Sequence, residues 1–163
     1  MITRIEVDGF KSLNGFRLDV QPGLNILVGP NGSGKTNIIL FFEFVSKLIN
    51  EDLYNAVTKV GGAGAIFKKV GDRDYTNRIT CTIQGCRKVE DHYIKYEYQF
   101  SIDISFDKDS IFFSKQSYRA GIVKAFSQDT GFNDWGLVIT QSQLDGSTKP
   151  TVLLEKVDTK HFS

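Results

Sequence analysis

LNILVGPNGSGKTNIILFFEFVSKLI, residues 24–49, is the stretch on which the fold turns. Leu24, Ile26, Leu27 and Val28 read as a short strand, and an apolar helical run follows from about Thr36 to Ile49. Between them, Gly29-Pro30-Asn31-Gly32-Ser33-Gly34-Lys35-Thr36 fits the phosphate-binding pattern G-x-x-x-x-G-K-[ST]. The glycines let backbone N–H groups curl around an anion without Cβ clashes. Lys35 can reach the outer phosphates, Thr36 offers a hydroxyl to Mg²⁺, and the helix N-terminus adds free N–H groups and partial positive charge. At average residue frequencies a chance match in a chain this long is expected about once in a couple of hundred sequences. The strand-turn-helix context supplies the second condition the pattern requires. The turn is expected to hold a nucleoside triphosphate.

On the N-terminal side, residues 2–8 read as a strand with Ile5 and Val7 on one face and Arg4, Glu6 and Asp8 on the other. Residues 9–15 connect to a second alternating run, Phe16, Leu18 and Val20 against Arg17 and Asp19, and Pro22-Gly23 marks a turn. On the C-terminal side the helix is apolar on most of its surface. Glu43, Lys47 and Asn50 form its one polar stripe, with Glu43 placed to support Lys47. That pattern predicts a helix buried between layers, with its phenylalanines in the core rather than in a ligand-stacking box.

From Glu51 to Asp74 the pattern weakens, and Gly61-Gly-Ala-Gly64 reads as a flexible turn. No lysine and hydroxyl follow it at the offset a second phosphate loop needs. Beyond Arg78 the period becomes two. Ile79, Cys81 and Ile83 alternate, Gly85 is expected to begin a turn, and Ile94 to Phe106 alternate without a break. Further strands are expected over 111–117, 135–140 and 152–157.

The 163 residues suffice for one domain with a real core, and 40 % hydrophobic with 24 % charged residues is ordinary globular composition. A formal net charge of +1 gives no electrostatic argument for nucleic acid or an anionic membrane surface. Lys68, Lys69, Arg73 and Arg78 make a modest basic cluster that reads as a solvated loop. Cys81 and Cys86 lack a second Cys or His pair at zinc spacing, and His92 and His161 have no partner pattern, so metal ligation by these residues is not expected. Low cysteine use, a charged N-terminus and the lack of any ~20-residue apolar run predict a cytoplasmic chain with no membrane partner.

The opening also resembles a family. Ile5-Glu-Val-Asp-Gly-Phe-Lys-Ser12, the strand near 16–20, and Pro22-Gly-Leu-Asn-Ile-Leu-Val-Gly-Pro-Asn-Gly-Ser-Gly-Lys-Thr-Asn37 with its helix are similar to the RecF, SMC and OLD branch of ABC-type ATPases. That branch includes AAA-labelled ATPases of phage-defence and retron systems. The resemblance is strong over residues 2–49 and rests on strand pattern alone over 78–106.

It implies a mixed α/β (α+β) fold, a P-loop NTPase N-terminal lobe of ABC type. Residues 1–77 would form the nucleotide core and 78–163 a mostly antiparallel β-subdomain. It implies ATP and Mg²⁺ as cofactors, held by Gly29, Pro30, Asn31, Gly32, Ser33, Gly34, Lys35, Thr36 and Asn37, with Thr36 on the metal. Lys11, at the family's Phe-Lys/Arg-Ser position, is either near the nucleotide or a solvated loop lysine.

Such ATPases also need an apolar strand ending in Asp-Glu, a Ser-Gly signature motif and a glutamine loop. Val152-Leu-Leu-Glu155 falls short of the acidic strand and reads as an ordinary strand end. Gln84, Gln99 and Gln116 match the glutamine by type only. The chain is therefore expected to be one lobe of a larger ATPase. The resemblance implies a missing C-terminal lobe as partner, a homodimer that sandwiches ATP, and action on DNA or with a nuclease in repair or anti-phage defence. The alternative is a non-hydrolysing nucleotide-binding module or a truncated remnant.

Overall fold

The computed structural model describes residues 1–70, 74–89, 92–105, 110–123, 137–142 and 151–155. In chain order the elements are β1 (Ile2–Asp8), β2 (Phe16–Asp19), α1 (Lys35–Asn50), α2 (Leu53–Lys59), α3 (Ala63–Ile66), β3 (Lys69–Val70), β4 (Asp74–Tyr75), β5 (Arg78–Val89), β6 (His92–Ser105), β7 (Ser110–Val123), β8 (Leu137–Ser142) and β9 (Thr151–Glu155). Seven strands form one antiparallel sheet in the order β2-β1-β5-β6-β7-β8-β9. β3 and β4 pair separately. The architecture is mixed α/β.

Strand alternation decides which side of the sheet is covered. Ile5 and Val7 of β1, Ile79, Cys81 and Ile83 of β5, and Phe100 and Ile102 of β6 are buried in one cluster with Ile38, Phe41, Phe44 and Val45 of α1. Phe10 lies between sheet and helix, with ring centroids 5.3 Å from Phe41 and 5.7 Å from Phe44. Each such fully buried phenylalanine contributes about 2–3 kcal/mol. The expected phenylalanine core is therefore present. The expected burial of α1 between layers is incomplete: Ile39 is 65 % and Ile49 77 % exposed. Among the described residues the sheet and α2 cover only the other side of the helix, so apolar content outruns the surface available to cover it.

β7 changes phase along its length. Ser101 pairs with Lys115 but Ile102 with Phe113, so Ser114 is an extra residue. Before this bulge Ile111 and Phe113 lie opposite Ile104 and Ile102, and after it Gln116 and Tyr118 lie opposite Phe100 and Tyr98. One inserted residue keeps both halves of the strand in register with a continuous β6.

The polar side of the sheet carries Glu97, which is 3 % exposed. Gln84 Nε2 donates to its Oε2 at 2.9 Å, while Gln99 Nε2 at 3.0 Å and Arg119 Nε at 2.9 Å donate to its Oε1. The Arg119 guanidinium also closes an ion pair on the same oxygen. A buried carboxylate is tolerated when charge and hydrogen bonds meet it together, as three strands arrange here.

Two further expectations are corrected. Gly85 does not begin a turn; it sits inside β5, paired with Tyr96 on one side and Ile2 on the other. A Cβ there would stand 2.1 Å from the Tyr96 ring and 2.7 Å from the Met1 carbonyl oxygen, so the glycine marks a close approach of neighbours. Residues 24–28 form no strand, because no described segment runs beside them to complete a ladder. The weak region after α1 holds two short helices. Asp52 caps α2 by accepting from Asn55 N at 2.8 Å. The strands expected at 135–140 and 152–157 are observed as β8 and β9, while Phe106, Trp135 and Val157 lie outside the described residues.

Candidate functional site

The glycine-rich turn lies on the surface and feeds directly into α1. Residues 29–33 are exposed, and Gly32 (φ 83°) and Gly34 (φ 91°) adopt left-handed backbone that only glycine enters without strain. Gly34 is the N-cap of α1 and supplies no side chain, and the first helical turn contains no acidic residue. The leading N–H groups thus have no side-chain acceptor and no competing carboxylate, which suits an anion at the helix end.

Lys35 folds back over the turn. Its ammonium donates to the Gly29 and Pro30 carbonyl oxygens, both at 2.6 Å, and to Ser33 Oγ at 3.3 Å. The charge is thereby carried to the concave side, where an anion would exchange carbonyl partners for phosphate oxygens. A Cβ on Gly29 would stand 2.9 Å from Ser33 Oγ, so the turn is closed too tightly for a side chain there. Thr36 is exposed in the first helical turn. Asn37 Nδ2 donates to Ser12 Oγ at 2.7 Å, joining the helix start to the Phe-Lys-Ser segment.

Lys11 is the one non-glycine residue at positive φ (49°) among the described residues. Its N–H donates to Ile66 O at 2.8 Å, and Lys68 N donates to Gly9 O at 3.0 Å, so the two backbone segments are tied together. Lys11 and Asn37 line a single cavity of about 620 Å³. The fold therefore brings Lys11 alongside the helix start that carries residues 34–37.

The remaining candidates lie elsewhere. Gln84 and Gln99 bond Glu97 on the side of the sheet facing away from α1, and Gln116 accepts from Tyr98 Oη at 2.7 Å. All three are engaged within the sheet. Glu155 ends β9, which four strands separate from β1. Burial pushes the Cys81 thiol well above its ordinary range, which makes it unreactive. Among the described residues no cluster of His, Cys, Asp and Glu could hold a metal. Arg78 of the basic cluster instead pairs with Asp103 at 2.7 Å, and Arg73 lies outside the described residues.

Sequence reasoning passed over Ser12 as a partner of Asn37 and Tyr75 as a neighbour of the site. Lys68 and Lys69 were legible only as a basic cluster, because their approach to Lys11 depends on the backbone pairing of Gly9 with Lys68.

The profile of the family described as AAA ATPase domain matches residues 1–160. Curated relatives share shorter segments. The chromosome partition protein Smc of Lactiplantibacillus plantarum is 31 % identical over 97 residues, which cover 58 % of this chain and 8 % of that protein. The DNA replication and repair protein RecF of Bifidobacterium adolescentis is 47 % identical over 45 residues, 28 % of this chain and 11 % of that protein. The DNA double-strand break repair Rad50 ATPase of Methanopyrus kandleri is 38 % identical over 39 residues, 24 % of this chain and 4 % of that protein. The matched segments thus span 4–11 % of the length of these relatives.

Proposed function

The chain belongs to the AAA ATPase domain family, and from that premise we propose that it is the phosphate-loop lobe of an ABC-type ATPase of the RecF and SMC kind. In this reading ATP lies on residues 29–37, with its phosphates on the loop N–H groups and Lys35. Lys11 approaches from the flank. Residues 1–77 serve as the nucleotide core and 78–163 as an antiparallel β-subdomain.

The observation that carries the reading is the loop itself: two left-handed glycines, an uncapped helix start and a lysine bent over the concavity. A Mg²⁺ ion fits the donor set. The exposed Thr36 hydroxyl would be its one protein ligand, and phosphate oxygens and water would supply the rest, as this ion prefers. When bound, the ion neutralises charge developing on the phosphates.

Hydrolysis also requires an acidic group to orient water, which this reading assigns to a second lobe outside residues 1–163. The exposed apolar residues 24–28 support that assignment. Leu24, Ile26 and Val28 are 86 %, 72 % and 90 % exposed, and a run apolar on successive residues suits a strand covered on both faces. In this reading the completed enzyme would pair with a second copy across ATP and act on DNA in repair, chromosome maintenance or anti-phage defence, in the cytoplasm and with or without a nuclease. No helix among the described residues is long and apolar enough to cross a membrane.

The test is ATP binding by the 163-residue chain and its Lys35→Ala variant, read by calorimetry. A loss of at least about tenfold is expected from removal of the charge-assisted contacts. Equal affinities would overturn the proposal.

A further inference from the structure

The edge strand β2 is finished at both ends and open in the middle. Val20 N donates to Thr3 O at 2.8 Å, in the register that pairs Ile5 with Leu18 and Val7 with Phe16. Hydrogen-bonded and non-hydrogen-bonded pairs alternate along an antiparallel ladder. Residues 16, 18 and 20 therefore turn their N–H and C=O groups toward β1, and Arg17 and Asp19 turn theirs outward. β2 ends the seven-stranded sheet, and among the described residues no strand lies on its other side. Side chains close that edge beyond the strand. Gly15 N donates to Asp8 Oδ1 at 2.8 Å, Gln21 N to Asn25 Oδ1 at 3.0 Å, and Asn25 Nδ2 to Gln21 O at 2.8 Å. What is left open is a window of two outward residues centred on Leu18.

One self-pairing fits that window. A two-fold axis at Leu18 sets Arg17 of each copy opposite Asp19 of the other, in hydrogen-bonded pairs that use every outward N–H and C=O of both strands. An axis at Arg17 or at Asp19 would set like charges face to face. It would also call on the backbone of Gly15 or Gln21, whose groups are already bonded. The charges stand ready at the edge: Asp19 accepts from Arg4 Nε at 2.5 Å and from Arg17 Nε at 3.1 Å, and both Arg17 and Asp19 are exposed. Charges on a short edge strand ordinarily discourage pairing. Here they are complementary about Leu18, so they select one register.

We infer that β2 docks antiparallel on β2 of a second copy of this chain across a two-fold axis at Leu18, joining two sheets into one. The contact needs no nucleotide and is independent of the reading of residues 29–37. A strand of four residues buries far less than the ~1,200 Å² of a standard interface, so the dimer is weak and reversible.

The experiment is sedimentation of the full 163-residue chain without nucleotide, from about 5 μM to about 1 mM. Wild type is expected to dimerise with a Kd on the order of 100 μM. Arg17→Asp and Asp19→Arg, both exposed and outside the core, should each raise that Kd at least about tenfold. Mixed in equal amounts, the two variants should associate again within about threefold of wild type, because each then meets opposite charge at both positions. Arg17→Pro removes an outward N–H, leaves the groups facing β1 in place, and should weaken the dimer as well. A chain that is monomeric at about 1 mM would overturn the inference, as would a dimer that all three substitutions leave unchanged. Hydrogen exchange identifies another occupant: Arg17 and Asp19 amides protected in a monomer would assign the edge to another segment of the same chain and overturn the second copy.

Discussion

Residues 24–28 and 79–83 are both short runs of strand-forming apolar residues, yet they end in opposite environments. Ile79, Cys81 and Ile83 are buried beneath α1, in a strand paired on both sides. Leu24, Ile26 and Val28 are exposed and unladdered. Local propensity is similar; what differs is the supply of neighbours. Residues 79–83 have β1, β6 and a helix to meet their hydrogen bonds and apolar surface, and residues 24–28 have none of these among the described residues. Burial belongs to the partnership between segments and not to a segment taken alone.

The comparison can be broken most forcefully from the covered side. Phe44→Ala removes a fully buried ring from the contact between α1 and Phe10, and about 3–5 kcal/mol should be lost in urea unfolding. A loss below about 1 kcal/mol would mean that α1 is not the cover. Arg119→Ala should cost about 2–3 kcal/mol by the same measurement, because Glu97 would stay buried without its guanidinium partner while Gln84 and Gln99 still donate to it. Replacing Glu97 and Arg119 together by Leu and Met should recover most of that loss, showing that the unmatched charge sets the cost.

A smaller effect comes from Asp103, whose carboxyl the Arg78 guanidinium holds below the ordinary carboxylate range. The unfolded chain then binds this proton more readily than the folded one. The pair's contribution is therefore present above the ordinary carboxylate value of 3.8 and lost as pH falls through the lower folded value. Arg78 is largely exposed, so Arg78→Ala should cost about 0.5–1 kcal/mol at pH 7 and almost nothing in strong acid. The smallest change is expected on the uncovered side. Ile26→Thr and Val28→Thr should each shift stability by about 0.5 kcal/mol or less, and a cost above about 1.5 kcal/mol would show that the segment is covered in solution.

The sequence made legible those features that repeat or sit close together. The loop announces itself through Gly29, Gly34, Lys35 and Thr36 within eight positions, and α1 begins and ends within a residue of the expected range. The alternation in β5 and β6 survives because one face of each is covered. Gly85 misled because glycine signals a turn more often than a close approach, and only the Tyr96 ring and the Met1 carbonyl reveal the second meaning. The helices after α1, at seven and four residues, are too short to display a period. The pairing of β1 with β5 joins positions more than seventy residues apart, and local pattern contains nothing about such partners. The same holds for the Lys11–Tyr75 cavity, which depends on backbone bonds between distant segments.

The bulge at Ser114 makes β7 a strand written in two phases, odd-numbered inward before it and even-numbered inward after it. A one-residue deletion at that point would not merely shorten the strand. It would remove the bulge and restore regular pairing, with Phe113 still opposite Ile102 and Lys115 still opposite Ser101, so Ile111, Phe113, Gln116 and Tyr118 would keep their partners and their face. A deletion elsewhere inside β7 would instead turn over the residues between it and the bulge, so a single-residue deletion scan along β7 should show its mildest interior loss of soluble yield at Ser114.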